Sequence, residues 1–465
     1  MEQNLDIFIN PWAGRYRNRW YWDSLLNRLE GISWFPDSLS RKLRGIRREE
    51  DFLFERAHRQ ADRYARIVRN DGRCYVTTSI DEFQHRFAHA LRERPDQPKI
   101  ICSGDGGIKE ALTTAICYIE QHNALEARVT QAFEDAIQDG EQNLNEQLRQ
   151  FLAALPFSPW EKTPPLSPLA KLLLLEKRVD FDLLAGKLTL TADEQKFIAQ
   201  HHVTLYSLLR GPLPLPVLGI IPGGTFNVVA HHLGIKNEAV YLETTVQQMQ
   251  RGEEHYSFLQ PLRIEYQTTG GNNKVLYGNI YGHGAIRDFF ELYYGKGLRP
   301  GPLKALYLTV GARYVKSGKF AAAMEQGQYH YQLTFQDGSV EEKSEKNRLA
   351  IISGINRLPF NISFFHPEPG CMHAALTSHS LNRIMLKAAW SSYGIGQKLH
   401  LADPAEIEGD YPSLSKVVIS VPPGKNVKFI VDGDLSREQG DQQEYYDSPT
   451  VSISMGPELK ILTPT

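Results

Sequence analysis

The chain has 465 residues, 42% hydrophobic, 23% charged and 10% aromatic, which excludes a disordered or fibrous protein and leaves length for two or three domains. Its 52 basic residues nearly balance 54 acidic ones, so a net charge of -2 lends no support to a nucleic-acid partner. Cys74, Cys102, Cys117 and Cys371 form no CxxC pair or zinc spacing, which argues against a metal finger and a disulfide framework and fits a reducing cytosol. The first residues lack the basic and apolar regions of a signal peptide. No run approaches the roughly 18 apolar residues of a membrane helix, so a cytoplasmic protein is expected.

In chain order, residues 6–9 read as a short apolar strand entering a turn with Pro11 and Gly14, followed by a helical pattern through Trp20, Leu25 and Leu29. A helix over 50–68, a strand over 73–78 and a helix over 83–91 follow. A buried strand at 99–102 then turns through Ser103-Gly-Asp-Gly-Gly107 into a helix at 108–119. Strands alternating with helices predict an α/β layer around a mostly parallel sheet, Rossmann-like in class. From about 120 to 210 the pattern becomes helical with a Pro-rich hinge at 156–168, and Thr191 with Glu194 forms a capping box. Strand signals resume at 217–224. A helix at 227–233 ends at Gly234, a candidate left-handed cap. Beyond Ser257 short alternating runs at 262–267, 275–281, 329–335, 417–421, 427–431 and 451–455 predict a β-rich, sandwich-like region.

Three glycine turns follow predicted strands: Asn10-Pro-Trp-Ala-Gly14, Ser103-Gly-Asp-Gly-Gly107 and Pro222-Gly-Gly-Thr-Phe-Asn227. Ligands of open α/β sheets bind beyond the carboxyl ends of the strands, where glycines let backbone N–H groups approach phosphate oxygens. Any one such turn reads equally as an ordinary strand-to-helix connection, and none matches the P-loop or GxGxxG pattern. Together they make a candidate phosphate cradle.

These segments resemble the catalytic domain shared by diacylglycerol kinases, sphingosine and ceramide kinases and bacterial lipid kinases. Ile9-Asn-Pro11 with Gly14, Ser103-Gly-Asp-Gly106 with Glu110, Pro222-Gly-Gly-Thr-Phe-Asn227, Tyr277-Gly-Asn-Ile-Tyr-Gly-His-Gly284 and Val431-Asp-Gly-Asp434 carry the resemblance in that order. It implies an ATP-dependent kinase acting on a diacylglycerol or sphingoid-type hydroxyl at a membrane surface. It further implies an ATP-binding domain over 1–236 with the helical insert, and a lipid-substrate domain over 237–465. By similarity, Asn10, Gly14, Thr77, Gly104, Asp105, Gly106, Glu110, Gly224, Thr225 and Asn227 would hold ATP, with Asp105 helping to place Mg2+ or the nucleotide. The expected proton acceptors are Asp434 and Asp432, with Asp105 as the alternative. An Asp-Gly hairpin is the plainer reading of 432–433.

Three features depart from that pattern. Gly107 and Asp434 stand where the family usually has Thr and Glu, and Pro369 stands where its structural Mg2+ ligand is expected, so no metal site is assigned there; Glu368 alone would make a poor cage. The insert separates Gly106 from Pro222 and reads most simply as a surface helical subdomain. Positions 41–69 hold ten basic and five acidic residues, a candidate face for anionic lipid or simply a solvated helix with pairs such as Glu55 with Arg59. Adjacent His231-His232 point in different directions and read as non-ligating. The remaining alternatives are a soluble-substrate kinase resembling NAD kinases and a non-catalytic regulatory protein that kept the fold.

Overall fold

The computed structural model describes residues 5–11, 49–67, 73–138, 212–223, 227–235, 238–268, 270–294, 327–347, 349–356, 367–377, 410–439 and 442–464. The expected helix around Trp20 to Leu29, the Pro-rich hinge and the Thr191 capping box lie outside them.

In chain order come β1 (Asp6–Ile9), helix α1 (Glu49–Ile67), β2 (Arg73–Val76), helix α2 (Ile80–Glu93), β3 (Lys99–Ser103) and helix α3 (Asp105–Gln138). After the insert follow β4 (Leu218–Pro222), the short helix α4 (Val228–His232), helix α5 (Glu238–Arg251) and β5 (Tyr256–Leu259). α2 begins earlier than its apolar spacing predicts. Ser79 Oγ accepts from Glu82 N at 3.1 Å, and Glu82 reaches back to Thr78 N at 2.6 Å, so the first orphan amides are satisfied.

β1 to β4 form a parallel sheet in the order β2-β1-β3-β4. This is the doubly wound order that starts 2-1-3-4, not the 3-2-1-4 order of the Rossmann fold, and it puts a topological switch point between β1 and β3. β1 and β3 are buried on both faces, hence the apolar runs 7–9 and 100–102 within them. Phe8 meets Phe83 and Phe87 of α2 edge-to-face at 5.8 and 5.0 Å.

The β-rich part contributes β6 (Leu262–Gln267), β7 (Asn273–Gly278), β8 (Ile280–Gly284), helix α6 (Ala285–Tyr294), β9 (Gly327–Phe335), β10 (Val340–Asn347), β11 (Leu349–Ser353) and β12 (Met372–Thr377). Then come β13 (Asp410–Ser420), β14 (Val427–Val431), the hairpin β15 (Ser436–Gln439) with β16 (Gln442–Tyr445), β17 (Asp447–Ser448) and β18 (Thr450–Met455). Apart from that hairpin these strands form one antiparallel sheet of 11 strands, where two packed sheets of a sandwich were expected. β13 explains the continuity. Along one edge its first half pairs with β12 and its second half with β18, while β9 pairs along the other edge, and register shifts at Met372/Ala374 and Leu414/Lys416 let it bend. The curl brings β17 back to β6, where Gln267 N donates to Ser448 Oγ at 3.1 Å.

Every second residue of these strands points into the curl. Leu262, Ile264 and Tyr266, then Val417 and Ile419, then Val427, Phe429 and Val431, then Val451 and Ile453 share one core. Outside, α6 lays Ile286, Phe289 and Phe290 on Ile430 of β14, which is why the strands beneath it lose their polar face.

The chain ends in β19 (Leu459–Leu462), which joins the first sheet parallel to β4 and antiparallel to β5. Tyr241 of α5 locks this return: its hydroxyl donates to Leu462 O at 2.8 Å and accepts from Ile220 N at 3.2 Å.

Met1–Phe87, Gln97–Thr114 and Pro216–Thr465 form one compact unit and Ala88–Asp96 with Ala115–Leu215 a second. Within the second, Asn123 clasps the returning chain through Nδ2 to Leu213 O at 2.9 Å and Leu213 N to Oδ1 at 2.7 Å.

Candidate active site

The carboxyl ends of β1 to β4 line up along one edge of the parallel sheet. Asn10 follows β1, where its N donates to Cys102 O at 3.1 Å and its Nδ2 to Ser103 Oγ at 3.1 Å across the switch point. Thr77 follows β2, buried, with its N donating to Ile9 O at 3.2 Å. Gly223 N donates to Ser103 O at 2.8 Å, and Gly104 O accepts from Ile108 N at 3.0 Å as the chain enters α3. Asn10, Thr77, Gly104 and Gly223 therefore share the edge at which doubly wound sheets bind ligands. Asn227 precedes α4 in the left-handed region, φ 48 and ψ 43, a conformation Asn tolerates better than most residues.

The second component comes from the far end of the chain. Val431 and Asp434 bond reciprocally, N to O, at 3.1 and 2.9 Å, with Asp432 at φ 50 and Gly433 at φ 86 between them. Positive φ at both central residues is the signature of a primed hairpin turn, so the plain Asp-Gly reading is right about the backbone. The side chains do more. Asp432 is half-buried and accepts from Asn279 N at 2.9 Å, Ile280 N at 2.8 Å and Asn279 Nδ2 at 3.1 Å, which anchors the turn to the start of β8. Asp434 points the other way and bonds Lys109 Nζ of α3 through Oδ2 at 2.8 Å, across 325 positions of sequence.

Gly106 sits against the same carboxylate: a Cβ there would lie 2.5 Å from Asp434 Oδ2 and 2.9 Å from Oδ1. The Gly-Asp-Gly turn and the late Asp-Gly-Asp turn are thus in contact, and Asp105, Asp432 and Asp434 gather at one place. Asp105 Oδ1 accepts from Val229 N at 3.3 Å, linking the cluster to α4.

Charge is crowded here. Burial, together with the Asp434 carboxylate, pushes Asp105 up to about 6 against the pull of the Val228 and Val229 amides. Burial and the charge of Asp105 push Asp432 up to about 7 despite the donors of Asn279 and Ile280. Burial alone would depress Lys109, but Asp434, Tyr446 and Glu110 outweigh it and hold the ammonium well above the usual lysine range. Among the described residues no three His, Cys, Asp or Glu side chains form a ready metal cage. The donor set still suits Mg2+, which commonly takes one or two carboxylates and completes its shell with water and substrate phosphates; a cation would also relieve the Asp105–Asp432 repulsion.

Other expected residues fall elsewhere. Gly14, Gly224 and Thr225 lie outside the described residues. Glu110 faces inward, 3.4 Å from Lys109 Nζ and accepting from Gln84 Nε2 at 3.2 Å, so its carboxylate belongs to the wall under the cluster. Residues 368–371 form a reverse turn in which Glu368 O accepts from Cys371 N at 2.9 Å, with Gly370 at φ 76 and Glu368 exposed. His232 Nδ1 meets Asn356 Oδ1 at 2.7 Å. On α1, Arg59 pairs with Glu55 at 3.4 Å, both exposed. Lys109 and Tyr446 were not singled out from sequence, whereas Asn279 belongs to the 277–284 segment that was. Lys109 had a signal, since it follows Asp105 by four residues and shares its helix face. Tyr446 had none.

No family model matches the chain, and neither does any curated protein sequence. Among solved structures, a diacylglycerol kinase from Bacillus anthracis str. Sterne covers 99% of this chain and 97% of its own at 14% identity, with a TM-score of 0.42. A second structure from that strain, with the same coverage and identity, has a TM-score of 0.44. Yeast NADH kinase complexed with NADH covers 100% of this chain and 84% of its own at 9% identity, with a TM-score of 0.33. Similarity at this level assigns no activity.

Proposed function

We propose that the chain is a kinase that transfers the γ-phosphoryl group of ATP to the hydroxyl of a lipid acceptor of the diacylglycerol or sphingoid type. The observation that carries this reading is the contact between the Gly-Asp-Gly turn after β3 and the Asp-Gly-Asp turn after β14, which gathers three carboxylates beside the carboxyl edge of the parallel sheet. Phosphoryl transfer asks a protein mainly for positioning and charge management, and for a carboxylate near the attacking hydroxyl.

The residues divide those tasks. Asn10, Thr77, Asn227 and the turn around Gly104 and Gly106 would flank the polyphosphate. Asp105 and Asp432 would hold Mg2+, which when bound neutralises charge developing on the phosphate oxygens. Asp432 has both oxygens engaged by Asn279 and Ile280, so it serves best as the fixed base of the turn. Asp434 engages Lys109 through Oδ2 and keeps Oδ1 available; its side chain is 32% exposed. It would take the hydroxyl proton on Oδ1 while the acceptor oxygen attacks the γ-phosphorus and ADP leaves. A lipid acceptor would bring the chain to a membrane surface; among the described residues no helix is long and apolar enough to cross one.

The test is transfer of labelled phosphate from Mg-ATP to diacylglycerol, monoacylglycerol, sphingosine, ceramide and phosphatidylglycerol, with NAD as soluble competitor and Asp434→Asn as control. Labelled lipid that disappears in the variant supports the reading and names the acceptor. Labelled NADP would replace it with a soluble-substrate kinase. Absence of any labelled product would overturn it.

A further inference from the structure

We propose that Lys109 is a positioning residue for this transfer: a buried ammonium that aims the Asp434 carboxylate at the acceptor hydroxyl and is itself held in place by the Tyr446 hydroxyl. The inference rests on the kinase reading and deepens it.

The geometry begins with helix periodicity. Asp105, Lys109 and Thr113 stand at successive i, i+4 positions of α3 and form one stripe along it. Each reaches a different partner. Asp105 bonds Val229 N, and Lys109 bonds Asp434 and Tyr446. Thr113 Oγ1 accepts from Tyr277 N at 2.9 Å and donates to Tyr277 O at 3.2 Å. Lys109 and Thr113 therefore join the helix after the Gly-Asp-Gly turn to the β-rich part, and Lys109 is the charged member of that joint.

An ammonium has three protons to donate, and here two of them are donated while a second carboxylate lies within ion-pair reach. Asp434 Oδ2 and Tyr446 Oη each lie 2.8 Å away, and Glu110 Oε1 lies 3.4 Å away. The side chain is 1% exposed, whereas that of Asp434 is 32% exposed. Lys109 consequently has no path to offer an incoming phosphate, while the carboxylate it grips faces outward. A phosphate-binding lysine would show the opposite pattern. Tyr446 supplies the rigid stop: its ring stacks on Phe429 at 5.3 Å with an interplanar angle of 13°, and Lys109 Nζ also lies 5.3 Å from the Tyr446 ring centroid. A leucine or methionine would fill the same space without the desolvation cost of a buried charge, so mere filling of the joint does not account for a lysine there.

The test measures kcat and KM for ATP and acceptor in the full chain for Lys109→Met, Lys109→Arg, Tyr446→Phe, Asp434→Asn and the Lys109→Met/Asp434→Asn double variant, each checked for cooperative thermal unfolding. Loss of about 100-fold in kcat for Lys109→Met is expected, with KM changed by less than about threefold, because only the alignment of the base is lost. Lys109→Arg should recover part of that loss. Tyr446→Phe, which keeps the cation, should lose about tenfold. The double variant should be no slower than Asp434→Asn, as expected of two groups acting as a unit. A folded Lys109→Met with wild-type kcat, an effect on KM alone, or losses that multiply in the double variant would overturn the inference. Should Lys109→Met not fold, Tyr446→Phe with unchanged kcat would do so. Wild-type protein inactive on every acceptor would remove the kinase reading and this inference with it, whereas active wild type beside unaffected variants removes this inference alone.

Discussion

Replacing Gly106 with alanine adds one methyl group at the point where the two turns touch. That carbon would lie 2.5 Å from Asp434 Oδ2, and ordinary contact begins at 3.4 Å, so the carboxylate must retreat by about 0.9 Å. An exposed side chain would swing aside, but Lys109 grips this one at 2.8 Å and the hairpin turn holds its backbone. For stability, the gain of alanine over glycine in a helix, up to about 1 kcal/mol, partly offsets an overpacking cost of about 1–3 kcal/mol. The net is a loss of about 0–2 kcal/mol. For activity, a misplacement of about 1 Å in an aligned group costs about 100-fold, or about 2.7 kcal/mol of transition-state stabilisation. Steady-state phosphoryl transfer alongside thermal unfolding should therefore show kcat falling far more than stability. Wild-type kcat in a folded Gly106→Ala protein would refute the reasoning, because the contact or the role of Asp434 would then be wrong.

Three further outcomes follow from the packing. Tyr241→Phe deletes a buried hydroxyl bonded to Leu462 O and Ile220 N, and should cost about 1–3 kcal/mol, read from the denaturant midpoint; an unmoved midpoint contradicts the lock between α5 and the β4–β19 pair. Lys99→Met removes the cation from a fully buried pair with Asp6, N to O 3.4 Å, and should cost about 3–5 kcal/mol, with Asp6→Asn added in the same chain restoring much of it; equal stability of the single and double variants would count against the pair. Asp105 and Asp432, raised from 3.8 to about 6 and about 7, bind protons more tightly folded than unfolded. Their contribution to stability is therefore fully present below about pH 3.8 and is lost as pH rises from there through about 6 to 7. In metal-free buffer Asp105→Asn should flatten that decline in melting temperature, and an unchanged slope would show that the two carboxylates do not repel each other as described.

Local chemistry was legible in the amino-acid sequence to the extent that it is short-ranged. Alternation at 262–267 and 427–431 gave strands with those bounds, because side chains on a strand must face core and solvent in turn. Gly234 ends its helix at φ 75, and Asp432-Gly433 forms the tight turn its residue types favour. The turns bearing Asn10, Asp105 and Asp434 were likewise visible, since glycine and aspartate next to strand ends leave a local mark.

Other features could only come from the folded chain. Nothing near Tyr256 or Leu459 marks β5 and β19 as members of the first sheet, because strand order is a choice among distant partners of similar apolar character. The single curled sheet depends on β13 changing neighbours halfway along, which no periodicity encodes. Lys109 is the sharpest case. Its spacing from Asp105 marks only the helix face it shares, and the arrival of Asp434 and Tyr446 from more than 300 positions away turns it into a buried charge. Sequence determined which groups are available and the local geometry of their turns. The tertiary structure decided which of them meet, because electrostatic energy depends on distance in space and on the water that packing excludes.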